Sequence, residues 1–465
     1  MRVDADGASH RRKRADESDA QGIRGKRRQG PRNLGFVLHE RKRPISPCVD
    51  DRAPFCERWP RKGSLLKAPR RIAFVTPYLP APAHSGGRIR MYRFARALAE
   101  RYEVHLFSAA DPHDVRVDRR SPELSIYATV HVEPRRPAVF GFGNEPARVR
   151  SVTPKALLRA FEEAHGRTPF AAAVIEHSYA ARPVHGARRL PWILDEHNVE
   201  SEYARARSRA RHIRVPLLSG AVAAWNARKV EALARWERAQ WRDASHVVCV
   251  SSKDAEQIQS VRQSSVTVIP NGVATEEVPW TAPSERSGHD ILFIGTFEHP
   301  PNIAAARWLA REILPRVRER EPRSRLVLCG SRPARAVREL ASDRVLVTGS
   351  VPSVVPYLRR ARVYANAVQH GGGTSLKVLE ALASGIPLVS THVGVRGFDL
   401  TAPDDYLRAE DTESFVTQLV ACLDGSESRD AASARGREIA ERFSWTKLGA
   451  RFADVVEQVA AFAGA

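Results

Sequence analysis

Ile72-Ala73-Phe74-Val75, then Ser85-Gly86-Gly87, then Glu103-Val104-His105-Leu106-Phe107: read together, these three pieces decide the fold. The first is a short, continuously apolar run that Thr76-Pro77-Tyr78-Leu79-Pro80 breaks. The glycine pair opens a helix in which Met91, Phe94, Ala95 and Leu98 share one face. The third piece is again a buried strand. Strand, glycine turn, helix, strand is a βαβ unit, and two strands without a polar face belong in a parallel sheet.

Working outward, further strands are expected at Ala173-Val174-Ile175, Trp192-Ile193-Leu194 and His246-Val247-Val248-Cys249-Val250. Between the last two, Val230, Leu233, Trp236 and Gln240-Trp241 follow helical spacing. Val268-Ile269-Pro270-Asn271-Gly272-Val273 closes this half with turn chemistry, and the polar stretch from Thr275 to His289 reads as a linker. A second βα series follows, with strands at Asp290-Ile291-Leu292-Phe293-Ile294, Leu326-Val327-Leu328-Cys329, Val345-Leu346-Val347, Val363-Tyr364-Ala365 and Pro387-Leu388-Val389-Ser390. Helices are expected between them, for example Ala304 to Leu314 and Leu376 to Ser384, and again around Ser433–Phe443 and Lys447–Phe462.

The predicted fold is therefore α/β, with two doubly wound Rossmann-like domains facing across a cleft. The expected divisions are a disordered basic leader (1–69), an N-terminal domain (70–274), a C-terminal domain (275–432), and terminal helices (433–465) that pack back towards the N-terminal domain. Ligands of such sheets bind at the carboxyl ends of the strands.

Composition narrows the function. The chain has 465 residues and a net charge of +21, and residues 1–69 hold 18 Lys/Arg against 9 Asp/Glu. The leader thus carries +9 of the excess and the remainder +12. A basic balance favours anionic partners: nucleic acid, an anionic membrane face or phosphorylated substrates. A solvated, functionally neutral surface explains it equally. Residues 1–69, rich in Arg, Lys, Asp, Gly and Pro, bury too little to repay ordering and are expected to be disordered. Five scattered cysteines without a CxxC pair exclude a disulfide framework and a zinc site. No stretch approaches the roughly 18–20 apolar residues of a membrane-spanning helix, and the N-terminus has no apolar core for a secretory signal. A reducing, cytoplasmic setting is expected.

The sharpest chemical signal is His370-Gly371-Gly372-Gly373-Thr374-Ser375-Leu376-Lys377-Val378-Leu379-Glu380-Ala381. It follows a strand and opens a helix. Its glycines let backbone approach a ligand closely, and free N–H groups at a helix N-terminus suit a diphosphate. Glu380, about one and a half turns in, is placed to accept hydrogen bonds from a ribose diol. A tight loop with left-handed glycines is the plainer reading of the same residues.

This segment resembles the donor-binding helix of the retaining GT-B glycosyltransferases of family four, and in particular a bacterial branch tied to exopolysaccharide assembly. The likeness extends over Pro387-Leu388-Val389-Ser390-Thr391, Asp195-Glu196-His197-Asn198-Val199-Glu200, Pro301-Asn302 and Ile269-Pro270-Asn271-Gly272-Val273. It runs from about Arg71 to the C-terminus. The resemblance implies that Glu380 holds the nucleotide ribose, and that Gly371, Gly372, Gly373, Thr374, Ser375 and Lys377 surround the donor diphosphate. It also implies that Gly86 and Gly87 approach the transferred sugar and that His197 contacts the sugar beside the reacting carbon. His197 is the implied catalytic residue.

Three departures stand out. The first glutamate of the family's Glu-x7-Glu pattern is Gly372 here. The Arg and Lys that clamp the phosphates in many members have no counterpart in Gly295-Thr296-Phe297-Glu298, so Arg332 or Lys377 would have to substitute. Ser375 stands where the branch often has Arg. His177, in Glu176-His177-Ser178, is a further candidate for the acceptor side, and Trp225, Trp236 and Trp241 are candidates for membrane contact or domain packing.

The expected activity is retaining, metal-independent transfer of a sugar from a nucleotide diphosphate sugar to a hydroxyl acceptor, with no cofactor. The expected acceptor is a lipid-linked glycan at the inner face of the cytoplasmic membrane, in exopolysaccharide or cell-surface glycan synthesis. A sugar-nucleotide epimerase and a catalytically silent scaffold are the alternatives on the same fold. Specific nucleic-acid binding is not expected, because no aromatic-basic motif accompanies the charge.

Overall fold

A computed structural model describes residues 70–83, 85–111, 121–136, 145–187, 189–210, 216–264, 266–370, 375–425 and 429–462, with the side chains of 206–222 left out. The expected disorder of residues 1–69 lies outside the described residues. Seven parallel strands build the first sheet: β1 (Arg71–Thr76), β2 (Glu103–Ala110), β3 (Thr129–Pro134), β4 (Ala172–Glu176), β5 (Trp192–Glu196), β6 (His246–Cys249) and β7 (Val266–Val268). Their order is β3-β2-β1-β4-β5-β6-β7. Six parallel strands build the second: β8 (Asp290–Ile294), β9 (Arg325–Cys329), β10 (Val345–Gly349), β11 (Val363–Asn366), β12 (Leu388–Ser390) and β13 (Leu407–Arg408), in the order β10-β9-β8-β11-β12-β13. The fold is two Rossmann-like domains of the GT-B type.

The sequence pattern explains the layers. Ile72, Phe74, Val104, Leu106, Val174 and Ile193 pack on one side of the first sheet with Met91, Phe94 and Leu98 of the helix Gly86–Ala99. Ala73, Val75, Phe107, Ile175, Leu194 and Val247 pack on the other, against Phe161 and Trp241. The second sheet is covered on both faces in the same way. Three strands were not expected. β3 is half-buried at one edge, β7 is half-buried at the other, and β13 has only two residues. The expected helix at Ala304–Leu314 is longer and interrupted: Pro300–Trp308, a π-turn at Leu309–Ile313, then Leu314–Arg320.

In both sheets the strand order reverses beside the first strand, between β1 and β4 and between β8 and β11. Loops leaving adjacent strands part there to opposite faces and open a crevice at the carboxyl ends. The segment 275–289 joins the halves with only a 3-10 turn at Pro283–Glu285. The helix Asp430–Arg442 packs on Leu376–Ser384 of the second half. The helix Trp445–Phe462 returns to the first half, where Phe452 stacks on Phe94 with ring centroids 4.2 Å apart.

Candidate active site

Three segments of the first half converge at its crevice. The helix Gly86–Ala99 starts after β1, His177 follows β4, and His197 follows β5. Gly87 is glycine for want of space: a Cβ there would collide with Tyr78 Oη and stand 3.3 Å from His197 Nδ1. His177 adopts φ 70°, a left-handed conformation rare outside glycine, and its ring centroid lies 4.1 Å from that of His197. Tyr78 Oη is 3.3 Å from His177 Nε2. Glu200 Oε1 is 3.2 Å from His177 Nδ1, and Arg148 donates to Glu200 Oε2 at 2.6 Å. Burial, followed by the neighbouring His197, pushes His177 down to about 4. Burial opposes ionisation of Glu200, yet His177 and Arg148 hold its carboxyl at about 2.

Beneath His197 lies a fully buried charge network. Arg90, with no exposed surface, donates from Nε and Nη2 to both oxygens of Asp195 at 2.8 and 2.7 Å. Its Nη1 donates to the carbonyls of Ile269 and Pro270, at 2.8 and 3.2 Å, where the first half ends. Despite burial, that guanidinium holds the Asp195 carboxyl well below the usual carboxylate range. His197 Nε2 lies 2.6 Å from Glu176 Oε2 and 3.4 Å from Asp195 Oδ2.

In the second half the helix Leu376–Ser384 begins at Ser375 and ends at Gly385, which takes the left-handed φ of 75°. Gly371, Gly372, Gly373 and Thr374 lie outside the described residues. Ser375 is buried and makes no side-chain cap, and neither does Ser85 at the helix Gly86–Ala99. Both helix starts therefore keep backbone N–H groups that their cap side chains do not occupy. The two starts lie close together, since a Cβ on Gly86 would stand 3.4 Å from Leu376 Cδ1.

Lys377 Nζ donates to Asn302 Oδ1 at 3.0 Å and sits 4.9 Å from the centre of the Phe293 ring. Asn302 is itself fixed by donating to Thr296 O at 3.0 Å. Burial, and then the charge of Arg396, push Lys377 down to about 8. Burial pushes Glu380 up to about 7 against the pull of Lys377. Arg332 is turned to solvent, ion-paired with Glu298 at 2.8 Å.

Sequence reasoning passed over Arg90, Glu176 and Tyr78, which act through neighbours far away in the chain. Arg396 carried a weak signal as a cation just beyond β12. Of the tryptophans, Trp241 donates to Glu196 Oε1 at 3.0 Å and Trp236 to Ser178 O at 2.9 Å. Both therefore brace the first half. Trp225 is largely exposed, with Lys229 over its ring.

Comparison with known proteins matches this division of the chain. Residues 84–277 match the family model described as Glycosyltransferase Family 4, and residues 288–425 the model described as Glycosyl transferases group 1. The two halves are glycosyltransferase domains of these types. No curated protein matches the chain. Among solved structures, this glycosyltransferase is similar to sucrose-phosphate synthase from Thermosynechococcus elongatus, at 18% identity and a TM-score of 0.59, with 85% of this chain and 100% of that one covered. It is similar to HepE of Anabaena, solved with UDP, at 15% identity and a TM-score of 0.57, covering 83% and 100%. It is also similar to WaaG, a glycosyltransferase involved in lipopolysaccharide biosynthesis, at 15% identity and a TM-score of 0.51, covering 83% and 99%. At such identities the likeness concerns the fold. Among the described residues, no helix is long and apolar enough to cross a membrane.

Proposed function

We propose that this glycosyltransferase moves a sugar from a nucleotide diphosphate sugar to a hydroxyl acceptor with retention of configuration. The observation that carries the proposal is the closeness of two helix starts, Gly86 and Leu376, one beyond the carboxyl end of β1 and the other beyond that of β11. Two neighbouring helix N-termini suit an anion, and they suit best the charge that grows on a departing diphosphate. Lys377 adds a cation within the first turn. Glu380 holds the ribose diol from further along the same helix, and His197 faces the sugar from the other half.

The reading with retention is supported by how the nearby carboxylates are engaged. Asp195 is committed to Arg90, and Glu176 lies against His197, so neither is free to attack the sugar. The acceptor hydroxyl then attacks on the face the leaving group departs from, and the diphosphate takes its proton. HepE of Anabaena was also solved with UDP-glucose, which makes a UDP-sugar the first donor to try. The proposed acceptor is a lipid-linked glycan at the inner membrane face, in exopolysaccharide or surface-glycan synthesis. Metal independence is part of the proposal, since amide groups and Lys377 do the neutralising.

Thermal-shift screening of UDP-, GDP-, ADP- and TDP-sugars, followed by a transfer assay with the stabilising donor, tests the proposal. Stabilisation by none of them would overturn it. Glu380→Ala is expected to weaken that donor by about 1.5–3 kcal/mol, the strength of a charge-assisted hydrogen bond. This is roughly 10- to 150-fold in Kd by calorimetry.

A further inference from the structure

His197 can present only one ring edge to the cleft, because the other is engaged below. Its Nε2 meets Glu176 Oε2 at 2.6 Å, while its Nδ1 lies toward Gly87. Glu176 has no exposed surface and no cation of its own, since both oxygens of Asp195 take up the Arg90 guanidinium. The charged or titratable groups around Glu176 are Asp195 from β5, His197 just after it, Arg90 from the helix Gly86–Ala99, Tyr78 beyond β1 and Tyr127 ahead of β3. Burial first, and the Asp195 charge second, push the Glu176 carboxyl well above the usual range. Its second oxygen, Oε1, is buried with no hydrogen-bond partner, an arrangement that costs a neutral acid far less than a carboxylate.

We propose that Glu176 is the positioning residue of this site: as a neutral carboxylic acid it donates from Oε2 to Nε2 of His197, fixes the ring as its Nδ1–H tautomer, and turns that N–H toward Gly87 and the donor sugar. The inference rests on the reading that His197 faces the sugar. Hydrogen-bonding one imidazole nitrogen decides what the other can do. A donor at Nδ1 can meet the oxygen that bridges sugar and diphosphate, and it bonds that oxygen more strongly as the C1–O bond breaks and the electron pair leaves with the diphosphate. The neutral pair also spares the crevice a second buried carboxylate beside a diphosphate.

Four variants and one spectrum test this. In Glu176→Gln the amide N–H₂ replaces the acid as donor to Nε2, so kcat is expected within about threefold of wild type. Glu176→Leu keeps the bulk and loses the donor. It is expected to lower kcat at least about tenfold with the nucleotide Kd unchanged, as for a group that acts in the transition state. His197→Ala is expected to lose at least as much, and Glu176→Leu/His197→Ala to be no slower than His197→Ala alone, because Glu176 acts only through the ring.

Nitrogen-15 NMR of the wild-type His197 ring is expected to place its proton on Nδ1. That spectrum needs no variant, so it decides the proposal even if Glu176→Leu fails to fold by circular dichroism. A proton on Nε2, a Gln variant as slow as the Leu variant, or multiplicative losses in the double variant would each overturn the proposal. Wild-type transfer by His197→Ala would instead overturn the assignment of His197 to the sugar, and the ring spectrum would still decide the Glu176 contact.

Discussion

Lys377 and Glu380 lie three residues apart on one helix, and burial moves their protonation equilibria towards each other, to about 8 and about 7. The sign of the effect on binding follows from the roles proposed for them. Below about 7 Glu380 is neutral and accepts poorly from a ribose diol, and above about 8 Lys377 loses the charge that faces the diphosphate. Affinity for the nucleotide sugar is therefore expected to rise with pH through the first value and fall through the second. Calorimetric Kd values from pH 6 to pH 9.5 should trace this bell, with about a tenfold loss from its summit to pH 6. In Glu380→Gln the acid limb should vanish and the alkaline limb remain.

At the scale of helices, the same geometry that leaves N–H groups open at one end leaves carbonyls open at the other. This protein closes several of those carboxyl ends with arginine. Arg262 donates to Trp241 O, Ala244 O and Ser245 O at the end of the helix Pro216–Asp243. Arg286 donates to Leu358 O and Ala361 O at the end of Val355–Arg360, and to Ser384 O at the end of Leu376–Ser384. A guanidinium satisfies orphaned carbonyls and also complements the negative end of the helix dipole. Burial lowers Arg286 to about 10, which leaves it charged at neutral pH. Arg286→Met takes the guanidinium from three buried carbonyls, of which Ser384 O keeps the N–H of Thr281, and a loss of about 2–4 kcal/mol is expected in urea unfolding. Arg286→Lys should recover little of it, because a single ammonium cannot span both helix ends.

Elements of this kind differ in how much of themselves they disclose in sequence. Strands covered on both faces, such as Ile72–Val75 and Ala173–Ile175, are unbroken apolar runs and stand out. β3 reads Thr-Val-His-Val-Glu-Pro because an edge strand needs only half its side chains apolar, and that pattern resembles a loop. The helix Leu376–Ser384 was legible to the residue, since Gly385 stops it and Ser375 precedes it. Of the site, the turn residues Gly86, Gly87 and His197 were visible from their place after strands. The support beneath them was not. Arg90 and Asp195 are 105 positions apart, and Glu176 and His197 are 21 apart, so no local window joins them. Only closure of the sheet does.

Over the described residues, two sheets are bound by a return of the chain. The segment 275–289 carries it across, and Trp445–Phe462 brings it back to the face of Phe94. Arg437 fastens the crossing by donating to Thr275 O, Val278 O and Ala383 O. Of the arginines that give the chain its basic character, Arg90, Arg262 and Arg286 are thus buried within it. Dissolved ions distinguish these interior contacts from the approach of an anionic nucleotide sugar, which begins in water. Screening acts through water, over about 10 Å at 0.1 M ionic strength, and reaches buried contacts poorly. Raising sodium chloride from about 0.05 to 0.5 M should weaken the nucleotide sugar at least roughly threefold by calorimetry, while the melting temperature of the free protein moves by no more than about 2 °C. A melting temperature that falls in step with affinity would mean that the fold itself depends on charges open to solvent. Ionic strength thus becomes a reagent that tells apart the arginines that hold the protein together from the approach that brings in its substrate.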